Sequence, residues 1–232
     1  MPTYHIHIQG IVQGVGFRPF VYNLAYSNNL KGWVNNSSDG VHIEINADKA
    51  GTEAFLESII KNPPQLAHIT DSGYYKTDEK EFDKFEIVQS QSASENNVLL
   101  TPDFGLCPTC QAEIHDPENR RYHYPFTTCI NCGPRISIIK KLPYDRETTT
   151  MESFKMCKDC ADEYNDPTNR RYFSQTNSCT DCGIELDLLN SQGISVSIGN
   201  KTMADVVRLW KEGIIVAIKG IGGYLLTCDA NN

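Results

Sequence analysis

The chain has 232 residues, of which 40% are hydrophobic, enough for one or two ordinary domains with packed cores. Its net charge is −8, about −5 of it in residues 1–100, while residues 107–183 carry ten Lys/Arg against eleven Asp/Glu; a near-neutral segment argues against a broad polyanion-binding field. No apolar run approaches the ~18–20 residues needed to cross a bilayer, and the opening Met-Pro-Thr-Tyr-His lacks the basic and apolar regions of a secretory leader, so the reducing cytoplasm is the expected compartment.

Tyr4 to Gln9 alternates in polarity like a half-buried strand, with His5 and His7 on one face as solvated or structural residues. Gly10 to Gly16 follows as a glycine-punctuated loop. The spacing of Phe17, Phe20, Val21, Leu24 and Ala25 predicts a helix that leaves at Asn28-Asn29. Lys31–Asn35 and Val41–Ala47 read as a hairpin about Ser37-Ser38-Asp39-Gly40, residues 47–62 as a second helix ended by Pro63-Pro64, and Tyr74-Tyr75 and Phe82–Val88 as the remaining strands. The order is βαββαβ, a ferredoxin-like α+β plan.

A strand, a glycine loop and a helix start together make an anion site, because backbone N–H groups and the helix dipole converge there. Ile8 to Arg18, reading Ile-Gln-Gly-Ile-Val-Gln-Gly-Val-Gly-Phe-Arg, resembles the acylphosphatase signature without a break, and Gly32-Trp33-Val34-Asn35-Asn36 with Gly40 resembles a second element of that family. The resemblance implies a phosphoryl group held by Gln13, Gly14, Val15, Gly16, Phe17 and Arg18, with Arg18 clamping its oxygens and Asn36 orienting the attacking water. Asn35 and His42 depart from the residues usual there. Acyl phosphates have good leaving groups, so positioning and charge stabilisation suffice without a covalent nucleophile.

Eight of the nine cysteines form four C-x-x-C pairs, Cys107/Cys110, Cys129/Cys132, Cys157/Cys160 and Cys179/Cys182. Eighteen residues separate the two pairs of each unit, and the second unit repeats the first at an offset of fifty. Asp116-Pro117-Glu118-Asn119-Arg120-Arg121-Tyr122 recurs as Asp166-Pro167-Thr168-Asn169-Arg170-Arg171-Tyr172, and Gly133 as Gly183. This spacing suits one tetrahedral zinc per unit, closed and structural. His123, replaced by Phe173 in the second copy, is not expected to be a ligand. A disulfide framework suits a small secreted chain, and four registered pairs exceed what one redox motif needs. The paired arginines leave phosphate contact open as a reading, against which stands pairing with nearby acids.

Residues 184–200 read as a connection with a short hairpin. Thr202 is placed as the cap of a helix with Met203, Val206, Val207 and Trp210 on its apolar face, closed by Gly213, and Ile214–Ile218 as a buried strand. Lys219, Gly220, Gly222 and Gly223 then form a candidate nucleotide-binding turn, and Cys228 is expected to be a small buried residue.

In this order, the acylphosphatase-like segment, the tandem four-cysteine units and the Lys-Gly-x-Gly-Gly turn resemble the HypF family of hydrogenase maturation carbamoyltransferases over the whole chain. The resemblance implies an acylphosphatase-like domain at 1–91, a linker at 92–106, zinc fingers at 107–133 and 157–183 joined by a connector at 134–156, a linker at 184–200, and at 201–232 the truncated start of an α/β nucleotide-binding domain of the YrdC/Sua5 type. Leu225 stands where that type often has histidine. It further implies that the first domain hydrolyses carbamoyl phosphate, that the complete protein makes carbamoyl adenylate using ATP with magnesium, and that it carbamoylates a C-terminal cysteine of HypE. This segment alone is expected to perform only the hydrolysis. Two alternatives remain at this point: a free-standing acylphosphatase with zinc fingers, and a zinc-finger protein that binds nucleic acid, including through the YrdC-like segment.

Overall fold

The structure, a computed structural model, describes residues 1–90, 99, 101–220 and 223–232. Residues 92–98 and 100 of the expected linker therefore lie outside the described residues, as does Gly222. The chain forms two compact units, residues 1–111 with 128–177, and residues 112–127 with 178–232. These divisions run through both fingers, so cysteine spacing alone does not delimit the compact units.

The first unit opens with strand β1 (Thr3–Ile11), helix α1 (Phe17–Ser27), strands β2 (Lys31–Ser37) and β3 (Gly40–Asn46), helix α2 (Lys49–Lys61), and strands β4 (His68–Thr77) and β5 (Phe85–Ile87). The sheet order is β4-β1-β3-β2-β5, antiparallel except for the short β5, which pairs parallel with β2. This is the anticipated ferredoxin-like plan, with the strand expected at Phe82–Val88 shortened to Phe85–Ile87 at the sheet edge. Side chains alternate across the strands: Ile6, Ile8, Val34, Ile43 and Ile45 are buried with Val21 and Ala25 of α1 and Phe55 and Ile59 of α2. His5, His7, His42 and Glu44 occupy the opposite face. Asp48 caps α2 by accepting from the Gly51 N–H at 2.7 Å.

The two finger repeats contain helices α3 (Pro108–His115) and α4 (Lys158–Asn165) at equivalent places. His123 and Phe173, fifty residues apart, both adopt positive φ, at 57° and 52°, so the duplication extends to the backbone. In the first unit Arg171 Nε donates to the Thr128 carbonyl at 3.2 Å, and Arg171 Nη1 lies 3.8 Å from Glu163. In the second unit Arg121 Nε donates to the Ser178 carbonyl at 2.9 Å. Both arginines are buried. Each holds backbone of the other repeat, Arg171 facing an acid as well, and their burial removes both side chains as a phosphate-contacting surface.

The second unit also holds the expected hairpin, β6 (Asp187–Leu189) with β7 (Ser195–Ile198), helix α5 (Lys201–Lys211), and a hairpin of β8 (Val216–Lys219) with β9 (Tyr224–Thr227). Three expectations fail here. Thr202 lies inside α5, whose cap position is Asn200, and its hydroxyl donates to Leu186 O. Ile214–Ile218 is not a buried strand: Ile215 is 66% exposed, because β8 has only β9 beside it and a two-stranded ribbon buries little. Cys228 is exposed for the same reason.

Candidate functional site

The loop between β1 and α1 makes a cradle at a helix start. Gly14 and Gly16 take positive φ, 71° and 77°, which glycine adopts without steric cost. A Cβ on Gly14 would meet Pro134 Cβ at 2.5 Å, and one on Gly16 would meet Ile130 at 3.1 Å. The first N–H groups of α1 have no intrahelical acceptor and point at the loop's mouth. Gln13 fixes the loop from below: its Nε2 donates to Ser37 O at 2.6 Å and Gly40 O at 3.2 Å, and its Oε1 accepts from Tyr144 N at 3.0 Å. Gln13 is thus a strut of the loop. Val15 and Phe17 are core residues whose side chains hold the loop down, leaving their backbone to face a ligand.

Arg18 and Asn36, from α1 and β2, meet at this loop and are both buried. With the Asn36 amide turned so that its oxygen faces the guanidinium, that oxygen accepts from Arg18 Nε at 3.1 Å and Nη2 at 3.2 Å. Arg18 Nη1 donates to Ser90 Oγ at 3.3 Å, and Nη2 to Asp145 Oδ1 at 2.7 Å. Asn35 points to the other side of β2, where its Nδ2 donates to Gln89 O.

The cleft around these residues is completed by side chains that no sequence motif flagged. Asp145 belongs to the 134–156 connector and is pinned by a reciprocal cap, its own N–H donating to Thr148 Oγ1 at 3.0 Å. Phe173 lies over Arg18, its ring centroid 5.7 Å from Cζ, and Ile130, Tyr144 and Gln175 line the remaining wall. Burial pushes the Tyr144 hydroxyl up to about 12, so it adds no negative charge to the cleft at neutral pH. Asp145 has no counterpart at the repeat offset, Ser195 standing there, and so lacked a signal. The only hint for Phe173 was that it replaces His123.

In the first quartet, Cys107, Cys110, Cys129 and Cys132 bring their sulfurs within 4.8 Å of one another. Cys107 and Cys129 sulfurs are 3.6 Å apart and those of Cys129 and Cys132 4.0 Å, close to the ~3.8 Å edge of a tetrahedron with Zn–S bonds of about 2.3 Å. Knuckle N–H groups turn inward, with Cys107 N donating to Cys132 Sγ at 3.3 Å. Arg170 Nη1 donates to Cys110 Sγ at 3.0 Å, offsetting thiolate charge. Hydrogen bonds to Cys129 and Cys132, with burial, raise the Cys110 thiol, whereas the bond from Cys110 draws Cys132 down. Four crowded sulfurs cannot all ionise without a cation, so this donor set fits zinc.

Lys219, Gly220 and Gly223 lie at the β8–β9 turn, where Gly220 N donates to Gly223 O at 2.7 Å and Lys219 Nζ sits 4.9 Å from the Tyr224 ring centroid. Among the described residues, the lysine rests on an aromatic face.

Two family models match separate segments of the chain. The acylphosphatase family model matches residues 4–87, and the HypF finger model matches residues 106–139 and 156–189, each finger match spanning four cysteines. The chain thus combines an acylphosphatase domain with a pair of zinc-finger units, and both quartets, the second being Cys157, Cys160, Cys179 and Cys182, fit a structural zinc. It is 49% identical over its whole length to carbamoyltransferase HypF of Synechocystis, covering 30% of that protein, and 50% identical over 96% of its length to the probable carbamoyltransferase HypF of Methanocaldococcus jannaschii, covering 29%. A crystal structure of full-length HypF in a phosphate- and nucleotide-bound form superposes with a TM-score of 0.86 at 43% identity, over 100% of this chain and 30% of the other. The chain is similar to HypF carbamoyltransferases along its length, and it spans about 30% of the length of those curated relatives. No helix among the described residues is long and apolar enough to cross a membrane.

Proposed function

We propose that this chain is the part of a carbamoyltransferase that hydrolyses carbamoyl phosphate. The observation that carries this reading is the meeting of Arg18 and Asn36 at a glycine loop that opens a helix. The phosphoryl group sits over the backbone N–H groups from Gly14 to Phe17 and displaces Asp145 from Arg18 Nη2, so that Nη1 and Nη2 both meet its oxygens. Asn36, hydrogen-bonded to the same guanidinium, holds water in line with the scissile P–O bond. Attack then needs no covalent nucleophile, because carbamate leaves readily and the growing equatorial charge meets a preset cation.

In the longer protein the carbamate passes to an ATP-dependent step that forms carbamoyl adenylate with magnesium, and the carbamoyl group ends on the C-terminal cysteine of HypE. Lys219, Gly220, Gly222 and Gly223 are the residues of this chain that we assign to the nucleotide side. The zinc quartets organise the chain and take no chemical step.

Asn36→Ala tests the assignment. Phosphate release from carbamoyl phosphate should lose turnover with little change in KM if Asn36 positions water chiefly in the transition state. Equal turnover in the variant rules out that role. With ATP, labelled carbamoyl phosphate and HypE, the 232-residue chain should release phosphate without labelling HypE, and a longer form of the protein should label it.

A further inference from the structure

The sheet face turned away from α1 and α2 carries a cluster that the phosphate site does not use. His7 of β1 and His42 of β3 are direct cross-strand partners, with imidazole centroids 4.3 Å apart and ring planes 8° from parallel. Asp39, in the β2–β3 turn, reaches both. Its Oδ1 lies 2.9 Å from His42 Nε2, its Oδ2 3.7 Å from His7 Nε2, and its backbone carbonyl 3.2 Å from the same nitrogen. One ligand atom from each of the three residues lies within 4.8 Å of the others. Two donors on a tetrahedral ion with bonds of about 2.0–2.1 Å stand roughly 3.3–3.4 Å apart, and rotation of the two imidazoles out of their stack turns both lone pairs toward one ion beside Asp39.

The outer shell supports the same reading. A metal-binding imidazole holds its other nitrogen in a hydrogen bond that fixes the tautomer. His42 Nδ1 lies 2.9 Å from His5 Nε2, and His5 Nδ1 lies 3.6 Å from Glu44 Oε1. Glu44 is itself buried and anchored by Lys80 Nζ at 2.8 Å and Trp33 Nε1 at 3.2 Å. A chain of Glu44, His5 and His42 therefore points one imidazole nitrogen at Asp39. Gly40, at φ 144°, lets the turn close on this spot: a Cβ there would run into the Ile8 carbonyl and come within 3.1 Å of His7 Nε2. The side chains of His7, Asp39 and His42 are 21–27% exposed, open enough for an ion to enter.

We propose that His7, His42 and Asp39 form a third metal site, binding a divalent first-row transition ion such as zinc, with His5 and Glu44 orienting His42. Two imidazoles and one carboxylate suit such an ion and disfavour magnesium or calcium, which prefer oxygen. Three protein ligands leave a position for water, unlike the closed cysteine quartets. The site stands apart from the proposed hydrolysis, since none of its residues lines the Arg18 cleft.

The test uses the full chain with both cysteine quartets zinc-filled, titrated with zinc ion and monitored by bound metal per chain and by histidine imidazole NMR. A third equivalent should bind and shift His7 and His42, while magnesium at the same concentration shifts neither. His5→Ala should weaken the third equivalent roughly 10–100-fold, as loss of an outer-shell partner does, and His7→Ala, Asp39→Asn and His42→Val should each weaken it more. Two equivalents retained in each variant, with an unchanged circular dichroism spectrum, verify the fold; Asp39→Asn serves where a histidine variant misfolds. Saturation of the parent chain at two equivalents overturns the proposal, and so does a third equivalent that keeps its affinity in folded Asp39→Asn and His7→Ala.

Discussion

Replacing Arg18 by lysine keeps the charge of the proposed phosphate clamp and removes its shape. The guanidinium addresses Asn36 through Nε and Nη2, Asp145 through Nη2 at 2.7 Å and Ser90 through Nη1 at 3.3 Å. A single ammonium cannot span these directions and still present two parallel donors to a phosphoryl group. If one charge-assisted hydrogen bond to the transition state is lost, at about 1.5–3 kcal/mol, kcat/KM falls roughly 10- to 150-fold; losing both in Arg18→Ala gives about 10²–10⁴-fold. Stability changes less than activity. Asp145 would lose its cation, but its side chain is 23% exposed and water can take over, so about 1–3 kcal/mol is the upper range. Phosphate release from carbamoyl phosphate, alongside urea unfolding of each variant, separates the two effects. A lysine variant within twofold of the parent in kcat/KM would refute the claim that the fork geometry matters.

Two further outcomes follow from residues around the same cleft. Asp145→Asn keeps the shape of the Arg18 partner but removes a negative charge beside the phosphate position, so inorganic phosphate should inhibit at concentrations lower by on the order of tenfold, as product-inhibition kinetics would show; unchanged or weaker inhibition contradicts that competition. Elemental analysis should find two zinc ions with the Cys107 and Cys157 quartets filled, and Cys129→Ser should lose one of them. The same variant should slow phosphate release, because Cys129, Ile130 and Gly133 line the Arg18 cleft; full activity with one zinc missing would uncouple the finger from the site.

The sequence alone determined what depends on local spacing. Cysteine pairs eighteen residues apart at an offset of fifty define two zinc units whatever surrounds them, and the run from Ile8 to Arg18 contains its own turn geometry, because glycine at positions 14 and 16 meets a local backbone demand. Strand alternation likewise put His5 and His7 on one face. Tertiary structure decided everything that depends on distant residues meeting. Asp145 reaches Arg18 across 127 residues, and Phe173 across more, with no periodicity to announce either contact. His42 could be seen only as an unusual residue until strand pairing set it against His7 and Asp39. Burial was also decided there: Ile214–Ile218 and Cys228 are apolar enough for a core, but burial requires a partner surface, and β9 alone does not supply one.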